Sequence, residues 1–261
     1  MPEMLRGAFE RDGLTLSFLD TGGEGRPLVA LHAHWMEAST FIPLHEALRS
    51  DWRTIALDQR GHGFSDHASH YTRADYLGDI GALLDHLRLD TAVLLGNSLG
   101  GANAYQFSAR YPDRVSAMII EDMGAEIEGQ TAFALDWAGF YPTRAALEAK
   151  IGERLAPALS PSIRETARGW RLSFEPTDTE ASQAALNGNH WDDWLASGCP
   201  ALLIGGRDSK VTKPAHLQDM ATRRQNTELA MLDGGHVVHF DNPMGFAKAV
   251  GDFLGNLSNA R

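Results

Sequence analysis

Val93-Leu94-Leu95-Gly96-Asn97-Ser98-Leu99-Gly100-Gly101 is the stretch that decides how this chain reads. An apolar run ends in Gly-x-Ser-x-Gly, and a helix-compatible segment, Ala102 to Arg110, follows at once. Strand, sharp turn and helix in that order make a nucleophile elbow, in which a strained turn lifts a serine hydroxyl above the sheet. Gly96 and Gly100 leave room for neighbouring backbone at little steric cost. A chance Gly-Ser turn gives the same short pattern, so the rest of the chain must supply a base, an acid and an oxyanion site.

Around that stretch the composition bounds the protein class. A chain of 261 residues, 43% hydrophobic and 22% charged, can bury a large core as one α/β domain. The formal net charge is -11, and no basic run occurs. Nucleic acid and anionic membrane surfaces are poor partners for such a chain, because both need clustered Lys and Arg. Cys199 is the single cysteine, which excludes an internal disulfide, and its place before an apolar strand suggests a buried structural thiol. Met1 to Arg6 lacks the apolar core of a signal peptide, and no run reaches the roughly 20 apolar residues of a membrane span. The expectation is a cytoplasmic protein, monomeric or homodimeric, acting on a small molecule.

Taken in order, Phe9 to Asp20 reads as a hairpin turned at Asp12-Gly13. Leu28 to His32 and Thr54 to Asp58 are short apolar runs of the kind buried on both faces of a parallel sheet, with a helix between them over Ser39 to Arg49. Tyr71 to Leu89 has Ile80, Leu83, Leu84 and Leu87 at helical spacing, and Thr72 with Asp75 resembles a capping box. Val115 to Glu121 is a further strand. After a break come the strands Ala201 to Gly206 and Thr227 to Leu232, a helix from Lys213-Pro214, and a closing helix opened by Asp241-Asn242-Pro243. Strand and helix alternate, which predicts a parallel sheet with helices on both faces.

The break spans residues 124–197, an insertion in a core formed by 1–123 and 198–261. It has no buried-strand run. Ala145 to Leu155, Ser162 to Trp170 and Thr179 to Leu186 have helical composition, so a helical cap is expected. Four of the six tryptophans fall here, and most of its aromatics are expected to pack the cap, with a minority lining a pocket.

In open parallel sheets, function collects at the carboxyl ends of strands. Three places there join the elbow: Gly205-Gly206-Arg207-Asp208, Asp233-Gly234-Gly235-His236 and His32-Ala33-His34-Trp35. The chain order is Ser98, Asp208, His236. On these motifs, together with Asp58-Gln59-Arg60-Gly61-His62-Gly63-Phe64-Ser65, the chain resembles the α/β-hydrolase superfamily in its capped serine-hydrolase branch. The resemblance covers nearly the whole length outside the cap. It implies an eight-stranded, mostly parallel sheet with the cap inserted after the sixth strand.

It also implies roles. Ser98 is the expected nucleophile, His236 its base and Asp208 the acid that orients the imidazole. Asp122, at the end of the sixth strand, is the rival acid, because that place supplies the acid in some relatives. His236 directly follows glycine, as the family's catalytic histidine does. His239 is then expected to pack against the last helix and His62 to make structural hydrogen bonds. The oxyanion donors are expected to be the Leu99 N–H and the His34 N–H, with Ala33 as fallback in a position where the family commonly has glycine. Trp35, Phe133, Trp137, Phe140 and Val237 are candidate pocket residues. No organic cofactor is implied, and the histidine pairs lack the carboxylate or cysteine set of a metal site. The expected reaction is hydrolysis of a small ester or lactone through an acyl-enzyme. C–C bond cleavage in β-diketones, haloperoxidation or perhydrolysis, and a hydrolase-fold ligand receptor are the alternatives.

Overall fold

The structure, a computed structural model, describes residues 4–48 and 51–259. Its frame is an eight-stranded sheet, and chain order builds it from an edge hairpin inward. Strands β1 (Leu5–Arg11) and β2 (Leu14–Asp20) pair antiparallel with Arg11 opposite Leu14. Asp12 and Gly13 both take positive φ between them, as the tightest hairpin turn requires. β3 (Arg26–Leu31) is followed by a 3₁₀ turn, Ala38–Phe41, and helix α1 (Ile42–Ala47). The expected helix to Arg49 therefore starts in a tighter coil, and Arg49, like Met1 to Glu3, lies outside the described residues.

β4 (Trp52–Leu57), α2 (Arg73–His86), β5 (Ala92–Asn97), α3 (Leu99–Arg110) and β6 (Val115–Glu121) continue the alternation. The Thr72–Asp75 capping box forms in both directions and fixes where α2 begins. Beyond the insert come β11 (Ala201–Gly206), α8 (Pro214–Arg223), β12 (Thr227–Leu232), a short α9 (Val238–Asp241) and α10 (Pro243–Asn259). The strand order is β1-β2-β4-β3-β5-β6-β11-β12, antiparallel only where β2 meets β1 and β4. Leu28, Val29, Ala30 and Leu31 of β3 and Leu94 and Leu95 of β5 have no exposed surface, which is why these strands read as continuous apolar runs rather than alternating ones. α2 and α3 cover one face through Leu83, Leu84 and Phe107; α1 and α10 cover the other through Leu44, Phe246 and Phe253. Among the described residues no helix is long and apolar enough to cross a membrane.

Between β6 and β11 lie β7 (Glu126–Ile127), α4 (Arg144–Ile151), α5 (Ala156–Leu159), β8 (Ile163–Thr166), β9 (Gly169–Leu172), α6 (Pro176–Leu186), β10 (Gly188–Asn189) and α7 (Trp191–Ala196). Trp137, Leu147, Ile151, Leu159, Ile163, Leu172 and Phe174 form a hydrophobic cluster of this segment's own. Trp194 instead packs into the main core.

Ser162 to Trp170 is not a helix. Ile163 pairs with Leu172 and Thr166 with Gly169 in an antiparallel hairpin. Gly169 takes φ +114, and a Cβ there would stand 2.5 Å from the Tyr141 carbonyl oxygen. Tyr141 and Trp170 exchange two backbone hydrogen bonds of 2.8 Å, so pairing to a distant strand partner overrides local composition. Cys199 is half-buried rather than buried, with its Sγ 3.6 Å from Ser108 Oγ.

Candidate active site

Sheet register gathers the site. Leu31 of β3 lies beside Gly96 of β5, Asn97 beside Glu121 of β6, Glu121 beside Ile204 of β11, and Gly206 beside Leu232 of β12. Neighbouring strands run about 4.8 Å apart. The loops carrying His34, Ser98, Asp122 and His236 therefore leave one edge of the sheet side by side.

Ser98 has φ 52 and ψ −116, a conformation that costs a non-glycine residue on the order of 1–3 kcal/mol. Both flanking glycines are sterically required. A Cβ on Gly96 would meet the Gly100 oxygen at 2.1 Å, and one on Gly100 would meet the Leu31 oxygen at 2.0 Å. The turn is thus pressed against β3, and α3 starts directly behind Ser98. Leu99 is the first residue of α3, so its N–H has no partner within the helix and sits at the positive end of the helix dipole.

His236 is held from two sides. Asn97 Nδ2 donates to the His236 carbonyl at 3.1 Å and to the Glu121 carbonyl at 3.2 Å. His236 Nδ1 lies 2.6 Å from Asp122 Oδ2. An ionised carboxylate only accepts, so this contact places the proton on Nδ1 and leaves Nε2 with its lone pair.

This contact corrects the expected acid. Asp208 is exposed, its N–H donates to the Gly234 carbonyl at 3.0 Å, and its carboxylate makes no hydrogen bond or ion pair among the described residues. Asp122 is fully buried instead, turned inward by a φ of +46 at the end of β6. It also accepts from Ser209 Oγ at 2.6 Å and the Gly206 N–H at 3.3 Å. The last residue of β11 contributes an amide and the loop after it a hydroxyl, which steady the carboxylate of Asp122 rather than supply one.

The loop facing Ser98 makes a tight turn in which the Met36 N–H donates to the Ala33 carbonyl at 3.3 Å. Its positive φ falls on Trp35, at +70, and not on Ala33, which stands where the family commonly has glycine. Alanine is therefore tolerated, and a bulky residue carries the strain. The N–H groups of Leu99 and His34 are taken by no other protein group among the described residues. The His34 ring is buried, with Nε2 2.9 Å from Ser182 Oγ on α6, and Ser182 Oγ lies 2.8 Å from the Tyr76 hydroxyl. Burial, then the neighbouring His62 and Arg73, hold its pKa well below the ordinary 6.5. Burial likewise lowers His32 to about 4 and His62 to about 3.

Trp35, Phe133 and Trp137 come together as edge-to-face rings with centroids 5.4 and 5.5 Å apart. Phe140 is not part of this group: the Arg168 guanidinium lies over its ring at 4.0 Å. Val237 is half-buried in the histidine loop. His62 makes a hydrogen bond from Nδ1 to the Arg60 carbonyl at 3.0 Å. His239 is buried and engages Glu121 twice, by its N–H at 2.8 Å and by Nδ1 at 2.7 Å, a carboxylate that sequence reasoning passed over. The adjacent residues Glu121 and Asp122 thus hold His236 in the loop after β12 and His239 on the short helix α9.

The profile of the alpha/beta hydrolase family matches residues 28–249, and the chain belongs to that family. Among curated relatives, the chain is 28% identical to 2-(acetamidomethylene)succinate hydrolase of Mesorhizobium japonicum, covering 89% of each chain. It is 29% identical to 2-hydroxy-6-oxo-2,4-heptadienoate hydrolase of Pseudomonas putida, covering 89% of this chain and 90% of that one. Among solved structures, E-2-(acetamidomethylene)succinate hydrolase superposes with a TM-score of 0.86 at 25% identity, covering 97% of this chain and 99% of that one.

Proposed function

We propose that this hydrolase-family chain is a serine hydrolase that cleaves a small ester or lactone through an acyl-enzyme on Ser98. The observation that carries the reading is the His236 Nδ1 contact to buried Asp122 beside a serine on a strained turn. His236 Nε2 accepts the Ser98 proton as Oγ attacks the substrate carbonyl, and the Leu99 and His34 N–H groups bind the resulting oxyanion. The imidazolium, stabilised by Asp122, then protonates the leaving oxygen as the tetrahedral intermediate collapses. Water, deprotonated by His236, releases the acid and restores Ser98.

Segment 124–197 acts in this reading as a cap over the core 1–123 and 198–261, and Trp35, Phe133 and Trp137 line the apolar side of the acyl pocket. A second reading, cleavage of a C–C bond beside a ketone, is favoured by the Pseudomonas relative, whose named substrate carries a 6-oxo group and no ester. A panel of short esters, lactones and β-diketones, run on wild type and Ser98→Ala together, tests both. Turnover of esters or lactones that is lost by about 10⁴-fold in Ser98→Ala supports the first reading; Ser98-dependent turnover confined to the diketones replaces it with the second.

A further inference from the structure

Most arginines among the described residues have an acidic partner close by. Arg60 makes bonds of 2.7 and 2.8 Å to Asp79, Arg53 makes bonds of 3.0 and 2.6 Å to Asp20, and Arg6 reaches Asp58 at 2.5 Å. Arg73, at the start of α2, differs. Its head turns inward to α3, where Nη2 donates to Asn103 Oδ1 and Nε to Gln106 Oε1 at 2.8 Å. Both acceptors are neutral amides. Nη1 has no contact with solvent and no hydrogen-bond partner, and no carboxylate forms an ion pair with Arg73 among the described residues. A guanidinium does not shed its charge in a protein, and burial without a bonded counter-ion disfavours it, so an anion that reaches it is strongly attracted.

The surroundings of this cation belong to the candidate active site. It stands 5.4 Å over the Tyr76 ring, whose hydroxyl is joined through Ser182 to His34. Asn103, which holds it, lies one helical turn past Leu99, about 6 Å along α3. Asn103 Nδ2 in turn donates to Gln59 Oε1 at 2.5 Å, and the Gln59 N–H donates to His32 Nε2 at 3.0 Å. His32, His34 and His62 are all held neutral by burial, so none adds to the positive charge, and Arg73 itself helps keep His34 uncharged. In a chain of net charge -11, Arg73 is a buried cation with no carboxylate bonded to it beside the proposed oxyanion donors, and the Asp193 carboxylate acts on it only through space.

We propose that Arg73 is the anion receptor of this site, and that the substrate carries a free carboxylate on its acyl portion which Arg73 binds while Ser98 attacks the carbonyl. The proposal rests on the acyl-transfer reading above. Asn103 and Gln106 fix the fork, Nη1 supplies the unpaired donor, and an incoming carboxylate that displaces the groups covering it supplies a directly bonded counter-charge. Selectivity for an acidic acyl chain then comes from one prepaid cation rather than from a basic surface.

The test compares p-nitrophenyl hydrogen glutarate with its uncharged terminal amide on wild type, Arg73→Gln and Arg73→Lys, alongside calorimetric binding of free glutarate to Ser98→Ala. Wild type is expected to prefer the charged ester by about 10- to 100-fold in kcat/KM, the worth of charge-assisted hydrogen bonds. Arg73→Gln brings the ratio close to one, chiefly through KM, and Arg73→Lys restores part of it. Glutarate binds Ser98→Ala and not the Ser98→Ala/Arg73→Gln pair. No preference in wild type, or equal loss on both esters in Arg73→Gln, overturns the proposal. If Arg73→Gln does not fold, the wild-type ratio and the Lys variant decide. Turnover without charge preference leaves the hydrolase reading standing and removes this one. Arg73-dependent glutarate binding without turnover of either ester does the reverse.

Discussion

Asp122 and His236 meet at 2.6 Å across 114 positions of chain, because β6 and β12 flank β11 and release their loops at the same edge of the sheet. The contact makes a direct comparison possible. Asp122→Asn is expected to lower kcat by about 10³- to 10⁴-fold, since an amide no longer holds the proton on Nδ1 or stabilises the imidazolium. Asp208→Asn, altering an exposed carboxylate, is expected to stay within about threefold of wild type. Steady-state rates on one ester check both, and a large loss confined to Asp208→Asn contradicts the assignment.

The buried histidines set a pH dependence of stability. His32 and His62 have folded pKa values of about 4 and about 3, and His34 lies well below 6.5, whereas all three return to about 6.5 on unfolding. Below pH 6.5 the unfolded chain therefore binds more protons than the folded one. Stability is full above that pH and falls as the pH drops toward 4, by up to about 1.4 kcal/mol per pH unit for each histidine. Urea midpoints at pH 7.5 and pH 5 measure the effect; equal midpoints speak against neutral burial.

Gly100→Ala tests how the elbow is seated. The added methyl would stand 2.0 Å from the Leu31 carbonyl oxygen, so β3 or α3 must move. A loss of about 2 kcal/mol or more is expected, with Ser98 displaced and activity lost alongside. Chemical denaturation gives the first and ester turnover the second; a stable, active variant shows that the elbow is looser than described.

Glu121→Ala removes the acceptor for both the N–H and the Nδ1 of buried His239. Leaving these groups unpaired is expected to cost about 3 kcal/mol. Thermal denaturation with a urea series reads it, and a change below about 1 kcal/mol means that the pair contributes little to holding the histidine loop.

The main lines of the fold were legible in local pattern. Apolar runs such as Leu28 to Leu31 mark strands buried on both faces, and Thr72 with Asp75 marks the start of α2. Ser98 and His236 announce themselves through glycine-flanked turns after strands. The acid did not, because Asp122 and Asp208 both follow strands, and only the inward φ of Asp122 and its donors from a different loop distinguish them. Strand order does not separate them either, since β11 lies directly beside β12 and β6 directly beside β11, so both loops reach the one that carries His236. The hairpin Ile163 to Leu172 and the positive φ of Trp35 likewise arise from tertiary contacts that composition does not record.

The most direct measurement of the central claim is intact-protein and peptide mass spectrometry after incubation with a fluorophosphonate. The account predicts one covalent adduct per chain, located on Ser98 and slowed by orders of magnitude in Asp122→Asn. Folded protein that stays unmodified, or that carries its adduct on another residue, contradicts it.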